Sequence, residues 1–476
     1  MDRSEYPVVV IGAGPVGLAA AAHLLSRGIE PLVLERGAQV GASVAGWSHV
    51  RFFSPWRYSV DRAAADLLEG SGWVAPEPDT YPTGGDLISR YLQPLADLPA
   101  MRRHIRLGAE VVSVTRDGFD KMKTPGREAA PFVVTVRAAS GEENILVRAV
   151  IDASGTWTHP NPLGASGRPA IGERAVADHI AYGIPDVLGG ARERYAGRRV
   201  LVVGSGHSAF NVLIDLVDLA AEAPGTEITW AIRRPGNQAR NLFGGGIDDA
   251  LPARGELGAR VQRLVADGRL QLVTGVRIAK LEQTADGIVV SGQDSVLRPV
   301  DEIIAATGFR PDLEPLSELR LGLDPAVESP LALAPLIDPN VHSCGSVPPH
   351  GAEELRHPEA DFYIVGMKSY GRAPTFLMLT GYEQVRSVAA ALAGDWETAR
   401  DVQLVLPETG VCSTNALADR GVVCCAPAAS ADPVEASACC GEPQPVGVAA
   451  AATSSCCGDA VPQVIQLTAV GGGGCC

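Results

Sequence analysis

Three glycines and one carboxylate carry the first recognisable chemistry. Gly12, Gly14 and Gly17 form a G-x-G-x-x-G between a β-branched run and an alanine-rich run, and Glu35 follows 18 residues after Gly17. Glycine at the first position permits a tight turn, at the second lets a pyrophosphate approach the backbone, and at the third lets helix and strand pack closely. The helix start then offers free N–H groups and partial positive charge to phosphates, while the acid accepts from ribose hydroxyls. A second set reads Gly204, Gly206 and Ala209, and the strand after it ends in Arg233 and Arg234. A carboxylate there would repel a 2′-phosphate, whereas a guanidinium binds one bidentately, so the second nucleotide is expected to be NADPH.

Thiols form the other reactive group. Of the ten cysteines only Cys344 precedes residue 412, and eight of the rest form adjacent pairs: Cys424–Cys425, Cys439–Cys440, Cys456–Cys457 and Cys475–Cys476. Adjacent thiolates suit a soft, thiophilic ion such as trivalent arsenic, mercury or Cu(I). A vicinal disulfide is strained and reducible, and zinc-type C-x-x-C spacing with histidine partners is missing. The pairs are therefore expected to capture a metalloid or to carry electrons. A tolerated low-complexity tail is the plainer alternative.

The elements that position these groups read clearly. Residues 6–37, "YPVVVIGAGPVGLAAAAHLLSRGIEPLVLERG", give strand, glycine turn, helix and second strand; residues 198–234 repeat the design. Such units imply parallel sheets with helices on their faces, hence an α/β fold. Between them "AEVVSVTRD" and "APFVVTVRAASGEENILVRAVIDASG" alternate as antiparallel strands do. Past "LPETG" (406–410) the chain turns to Ala, Gly, Pro and Ser with no lysine or aromatic residue, a composition expected to be disordered.

Composition narrows the class. A formal charge of −15 argues against nucleic acid or an anionic membrane as partner. The first apolar run is broken by three glycines and a proline, which fits a strand–turn–helix better than a signal peptide or a membrane span, so a cytoplasmic location is expected. Monomer and homodimer both remain open.

Two dinucleotide turns in one chain resemble the two-dinucleotide-binding-domain flavoproteins. "IDASGTW" (151–157) and "IIAATGFRPDL" (303–313) look like their two linkers, and "DFYIVGMKSYGRAPTFLMLTGYEQVRSVAAAL" (361–392) looks like the segment that closes the FAD site. The resemblance implies two Rossmann-like domains, an FAD domain with an inserted NADPH domain, followed by the cysteine-rich tail. The boundaries it implies are 1–160 and 303–405 for FAD, 161–302 for NADPH and 406–476 for the tail. Cofactor contacts then fall to Gly12, Gly14, Gly17, Glu35, Arg36, Trp47, Gly155, Gly308 and Gly366, and to Gly204, Gly206, Ala209, Arg233 and Arg234. A helix beginning near Pro374 or Thr375 would aim its positive end at the flavin.

Within that group the chain resembles flavin-containing and N-hydroxylating monooxygenases. "GASVAGWSHVRFFSPW" (41–56) sits where they fold a tryptophan segment over the isoalloxazine, here Trp47. Their F-x-G-x-x-x-H stretch is replaced by "AIGERAVADH" (170–179), leaving His179 as the candidate histidine. The implied reaction has NADPH reduce FAD, and a C4a-(hydro)peroxyflavin then passes oxygen to a small, soft nucleophile. "HSCGSVPPHG" around Cys344, the closing segment, "LPETGVCS" and the paired cysteines further resemble flavin-binding monooxygenases of bacterial arsenic resistance. That implies a trivalent arsenical substrate, with Cys344 receiving it near the flavin. Two rival readings stand beside it: an NADPH-dependent metalloid or disulfide reductase working through the tail dithiols, and a metal-sequestering protein.

Overall fold

The computed structural model describes residues 5–236, 242–244, 249, 251–341, 347–374 and 376–402. Cys344, Thr375 and all the tail cysteines lie outside the described residues. The strands in chain order are β1 (Val8–Ile11), β2 (Pro31–Leu34), β3 (Ile105–Arg106), β4 (Glu110–Arg116), β5 (Phe132–Ala138), β6 (Gly141–Val147), β7 (Ala149–Asp152) and β8 (Ile180–Tyr182). They continue with β9 (Arg199–Val203), β10 (Glu227–Ala231), β11 (Gln271–Val273), β12 (Ile278–Thr284), β13 (Gly287–Gly292), β14 (Glu302–Ala305) and β15 (Phe362–Ile364). The four longest described helices are α1 (Pro15–Ser26), α2 (His207–Glu222), α3 (Pro252–Ala266) and α4 (Met378–Leu392).

Two five-stranded parallel sheets carry the architecture, ordered β15-β7-β1-β2-β3 and β11-β10-β9-β14-β8. β1 and β9 are β-branched runs buried on both faces, as a parallel sheet demands. Val8 and Val10 share a core with α1 and α4, while Val9 and Ile11 share one with Phe132, Val134 and Val136 of the β4–β6 meander. In the second sheet Val200 and Val202 pack with α2, and Leu201 and Val203 with the β12–β13 hairpin. The antiparallel runs expected between the two units are this meander; its last expected strand, β7, joins the first sheet instead.

Strand register decides what gathers at each sheet edge. Ile11 is level with Leu34 and Asp152, and Ile364 with Asp152. The residues that leave this carboxyl edge are therefore Gly12, Glu35, Ala153 and Val365, which brings four separate segments together. In the second sheet Val203 is level with Ala231 and Ala305, so Gly204, Ile232 and Ala306 emerge side by side. Both edges are points where the strand order reverses about the central strand, the place where open α/β sheets bind ligands. β14 belongs to the second sheet as far as Ala305, so the chain recrosses to the first sheet after that residue and not at 303.

The expected closing helix starts later than its sequence suggests. It runs Met378–Leu392, preceded by Leu377 in an extended conformation without a side-chain cap. Pro374 disfavours helix at Ala373, and the Phe376 ring, just before the helix, packs edge-on against Tyr370 at 5.2 Å.

A buried ion triad fixes the approach to β15. Arg116 Nε donates to Glu359 Oε1 at 2.8 Å and Arg127 Nη2 to Oε2 at 2.7 Å, with the Arg116 guanidinium 3.6 Å from the Phe132 ring centre. Burial alone would raise the Glu359 pKa, but the Arg320 amide and the two guanidiniums outweigh it and hold it below the usual value. A depressed carboxyl pKa contributes stability above the unfolded value that fades as pH falls. Glu359→Ala deprives two buried guanidiniums of their carboxylate and is expected to cost about 3–5 kcal/mol, read as a lower urea midpoint at neutral pH.

Candidate nucleotide sites and their junction

The first edge has the shape that a dinucleotide pyrophosphate needs. Gly12 adopts φ +98°, and a Cβ there would meet Ala153 O at 3.0 Å. A Cβ on Gly17 would lie 2.0 Å from Gly12 O, so helix α1 can approach the turn only because that position is bare. Gly14 faces open space, the cradle into which phosphate backbone contact is possible. Pro15 opens α1 as its first residue, where its missing N–H costs nothing. Glu35 is buried, and its Oε2 accepts from Ala13 N and its Oε1 from Gly37 N, both at 2.8 Å. The acid thus braces the phosphate turn itself, with lone pairs left for a ribose. Arg36 beside it is exposed.

Gly155 takes φ +71° with open space where a side chain would stand, and Gly366 takes φ +68° against Val16 of α1. These residues fit FAD. Between them lies a pair that sequence reading missed. Lys368 Nζ donates to Asp152 Oδ2 at 2.7 Å and to Ser154 Oγ at 3.1 Å, with both charged side chains buried. Ser154 Oγ in turn donates to Asp152 Oδ1 at 2.6 Å. A lysine two residues after Gly366 and an aspartate closing β7 were both visible in the sequence. Their pairing across 216 residues was not.

The second edge repeats the design. A Cβ on Gly204 (φ +135°) would fall 2.2 Å from Ala306 O, Gly206 faces open space, and Ala209 is fully buried under the turn. Arg233 is exposed and donates to Ala165 O at 3.2 Å. Arg234 is half-buried, and its Nη1 has no hydrogen-bond partner among the described residues. A buried orphan guanidinium nitrogen at the end of β10 fits a nucleotide carrying a 2′-phosphate.

His207, the first residue of α2, stands at this turn. Its ring lies 5.3 Å from Phe53 of the 41–56 segment and 5.9 Å from Phe210. Burial, aided by the Arg254 guanidinium and opposed by Asp249, lowers its pKa to about 4, so it is neutral at physiological pH. Arg254 and Asp249 form a buried bidentate pair beside it.

The linkers lie against one another between the two edges. Asn161 N donates to Gly308 O at 2.9 Å, Thr307 Oγ1 to Asn161 O at 2.5 Å, and Arg310 N to His159 O at 3.0 Å. Gly308 adopts φ +80° beside Asn161. Trp157 of one linker packs on Phe309 of the other at 4.6 Å, and Trp47 packs on Trp157 at 6.3 Å and Phe52 at 5.3 Å. Trp47 is therefore part of an aromatic wall at the linkers.

His179 stands elsewhere. It precedes β8, and its Nδ1 pairs with Glu302 Oε1 at 3.1 Å, while Arg194 takes Glu302 Oε2 at 2.6 Å. Glu302 is level with Val200, at the amino end of the second sheet, whereas Gly204 leaves the carboxyl end. This half-exposed ion pair thus lies at the end of the second sheet opposite Gly204.

Gly17→Ala forces a contact no side chain can relieve and is expected to weaken FAD binding roughly tenfold or more, about 1.4 kcal/mol, measured as flavin absorbance per protein after dialysis. Arg234→Ala removes charge-assisted bonds worth about 1.5–3 kcal/mol. It should raise KM for NADPH by about 10- to 100-fold and leave KM for NADH nearly unchanged in steady-state assays.

Residues 9–331 match the family model described as pyridine nucleotide-disulphide oxidoreductase. A ferredoxin–NADP reductase of Salinispora tropica is 28% identical over 67% of this chain and 79% of its own length. The indole-3-pyruvate monooxygenase YUCCA1 of Oryza sativa subsp. japonica is 30% identical over 44% of each chain. Among solved structures, an ornithine N-hydroxylase of Kutzneria sp. 744 with reduced FAD and NADP+ superimposes with TM-score 0.54 and 16% identity, covering 82% of this chain and 99% of that one. No helix among the described residues is long and apolar enough to cross a membrane. With two dinucleotide edges of this geometry and a match over most of the chain, the protein is a flavin-dependent oxidoreductase using FAD and NADP(H), and it belongs to the pyridine nucleotide-disulphide oxidoreductase family.

Proposed function

We propose that the chain is an NADPH-dependent monooxygenase that oxygenates a small, soft nucleophile, a trivalent arsenical, with the paired tail cysteines capturing the metalloid. The observation that carries the oxygenase reading is the aromatic wall of Phe52, Trp47, Trp157 and Phe309 at the linkers between the two nucleotide edges. With cofactors bound at the two edges, such a wall would help keep water from the reacting groups, which oxygen transfer requires more stringently than electron transfer does. Likeness to a plant monooxygenase across 44% of the chain supports it. The arsenical is supported by the sequence, in which four vicinal cysteine pairs follow residue 423.

Bound FAD, once reduced by NADPH, supplies the activation of O₂. The chain's own residues bind and orient. Gly12, Gly14 and the start of α1 hold the FAD pyrophosphate, Glu35 keeps that turn in shape, and Arg233 with Arg234 hold the NADPH 2′-phosphate. Trp47 and Trp157 exclude water. Cys344 and the tail pairs deliver the metalloid. The reaction balances as substrate, O₂, NADPH and H⁺ giving oxygenated substrate, H₂O and NADP⁺; for a trivalent arsenical, arsenic loses two electrons and gains one oxygen.

A second reading, a reductase that hands electrons to a separate acceptor or to the tail dithiols, is favoured by the longer alignment with a ferredoxin–NADP reductase, 79% of that protein's length. One experiment separates the two. Purified holoprotein with NADPH, ¹⁸O₂ and a trivalent arsenical should give pentavalent product carrying one ¹⁸O per NADPH consumed, read by mass spectrometry. NADPH oxidation under strict anaerobiosis that depends on a disulfide or ferredoxin and is lost with Cys→Ser tail pairs would replace the oxygenase reading with the reductase one.

A further inference from the structure

His350 ends the "HSCGSVPPHG" stretch and takes no part in the function derived above. It is 1% exposed, and every polar atom of its ring is engaged. Nδ1 lies 3.1 Å from Pro348 O, a group that only accepts, so Nδ1 carries the proton. Nε2, 2.9 Å from Gln384 Nε2, must then accept from that amide. With its NH₂ group committed to His350 and to Ser369 Oγ at 3.0 Å, Gln384 turns its Oε1 to Gly366 N at 2.7 Å. Ser369 Oγ donates to Gly366 O at 2.7 Å. Gly366 is thereby gripped at both its amide and its carbonyl. A Cβ on it would lie 3.3 Å from Val16 Cγ2, so its position also fixes the first turn of α1.

We propose that His350 is a positioning residue for FAD: its neutral Nδ1–H form sets the amide orientation of Gln384, and through it the seat of Gly366, so that protonation of His350 releases the cofactor. A protonated ring turns Nε2 into a donor facing the Gln384 NH₂ group. Relief at the ring requires the amide to flip, which turns Oε1 to the protonated Nε2 but presents NH₂ to the Gly366 N–H, so that donor faces donor at the glycine, a costly state when buried. Among the described residues, the groups facing His350 are these. Burial lowers its pKa, and the Pro348 carbonyl and the Glu354 and Glu383 carboxylates partly oppose this. Glu383 is paired with Arg386 on α4, Glu354 accepts from Gly351 N, the Tyr370 ring stands 5.7 Å away, and Lys368 on the same segment is committed to Asp152.

The sign follows from linkage. A histidine kept neutral when folded and loaded binds a proton more readily once that packing opens, so FAD affinity falls as pH drops below about 6.5. This inference rests on reading the first sheet edge as the FAD site, and the test keeps the two apart. Full-length holoprotein, its fold checked by far-ultraviolet circular dichroism at each pH, is diluted serially between pH 5 and 8, and the dissociation constant is read from the flavin fluorescence of released FAD. Wild type should lose at least tenfold in affinity between pH 7.5 and 5.5. His350→Gln, whose amide can both accept from Gln384 and donate to Pro348, should bind at neutral pH with that step removed. His350→Ala should bind weakly at every pH. A pH step that persists unchanged in His350→Gln, or wild-type affinity in a folded His350→Ala, overturns the role of His350; absence of FAD binding by wild type at pH 7.5 overturns instead the reading of the site.

Discussion

Both nucleotide edges depend on the same contact, a turn glycine pressed against the first carbonyl of a linker. Gly12 abuts Ala153, the residue after β7, and Gly204 abuts Ala306, the residue after β14. The register of the sheets makes this unavoidable, because β7 lies beside β1 and β14 beside β9 with their ends level. At Gly204 a methyl group would stand 2.2 Å from a backbone oxygen, an overlap no rotamer relieves. The left-handed φ of both glycines adds roughly 1–2 kcal/mol against any other residue. Each phosphate turn is therefore in hard contact with the chain that joins the two sheets.

The contact gives the linkers a double duty. They shape the turns at one end and meet each other at the other, through Asn161, Thr307 and the Trp157–Phe309 stack. Trp47 reaches this junction from the first sheet's side, and Phe53, six residues on, reaches His207 at the second turn. One short segment thus touches the linkers and the NADPH-side turn together. Rotation of one sheet relative to the other would have to break or carry these ring contacts, so the relative placement of the two cofactors is governed by aromatic packing more than by the few polar bonds there.

What the sequence made legible were the local features. The two glycine turns, the helices behind them, the acid after one strand and the arginines after the other all follow from short-range pattern, and each stands where its pattern requires. The late start of α4 was hidden because Pro374 reads as a helix start, while the packing of Phe376 on Tyr370 just before the helix is a ring contact that no sequence pattern signals. His179 read as reactive because it stood near a motif in sequence. Its place at the amino end of β8 depends on strand order, which no single segment encodes. Lys368–Asp152 and His350–Gln384 were invisible for the same reason: each residue is unremarkable alone, and its meaning lies in a partner brought by the sheet.

The charge design of the two edges explains why they are not interchangeable. At the first, Glu35 turns both oxygens inward onto backbone N–H groups, and the nearby cation Lys368 is neutralised by Asp152, so the edge presents bare backbone donors and little net charge. At the second, Arg234 keeps a nitrogen without a partner among the described residues, and Asp249, the acid that acts on His207, is locked to Arg254. An edge whose charges are already satisfied suits a cofactor that stays, because binding need not compensate for desolvating a free ion. An edge with an unmatched guanidinium suits one that arrives carrying an extra phosphate and leaves after reaction, since its attraction acts before contact and its bonds are few. The two edges thus differ in which charged groups already have partners among the described residues.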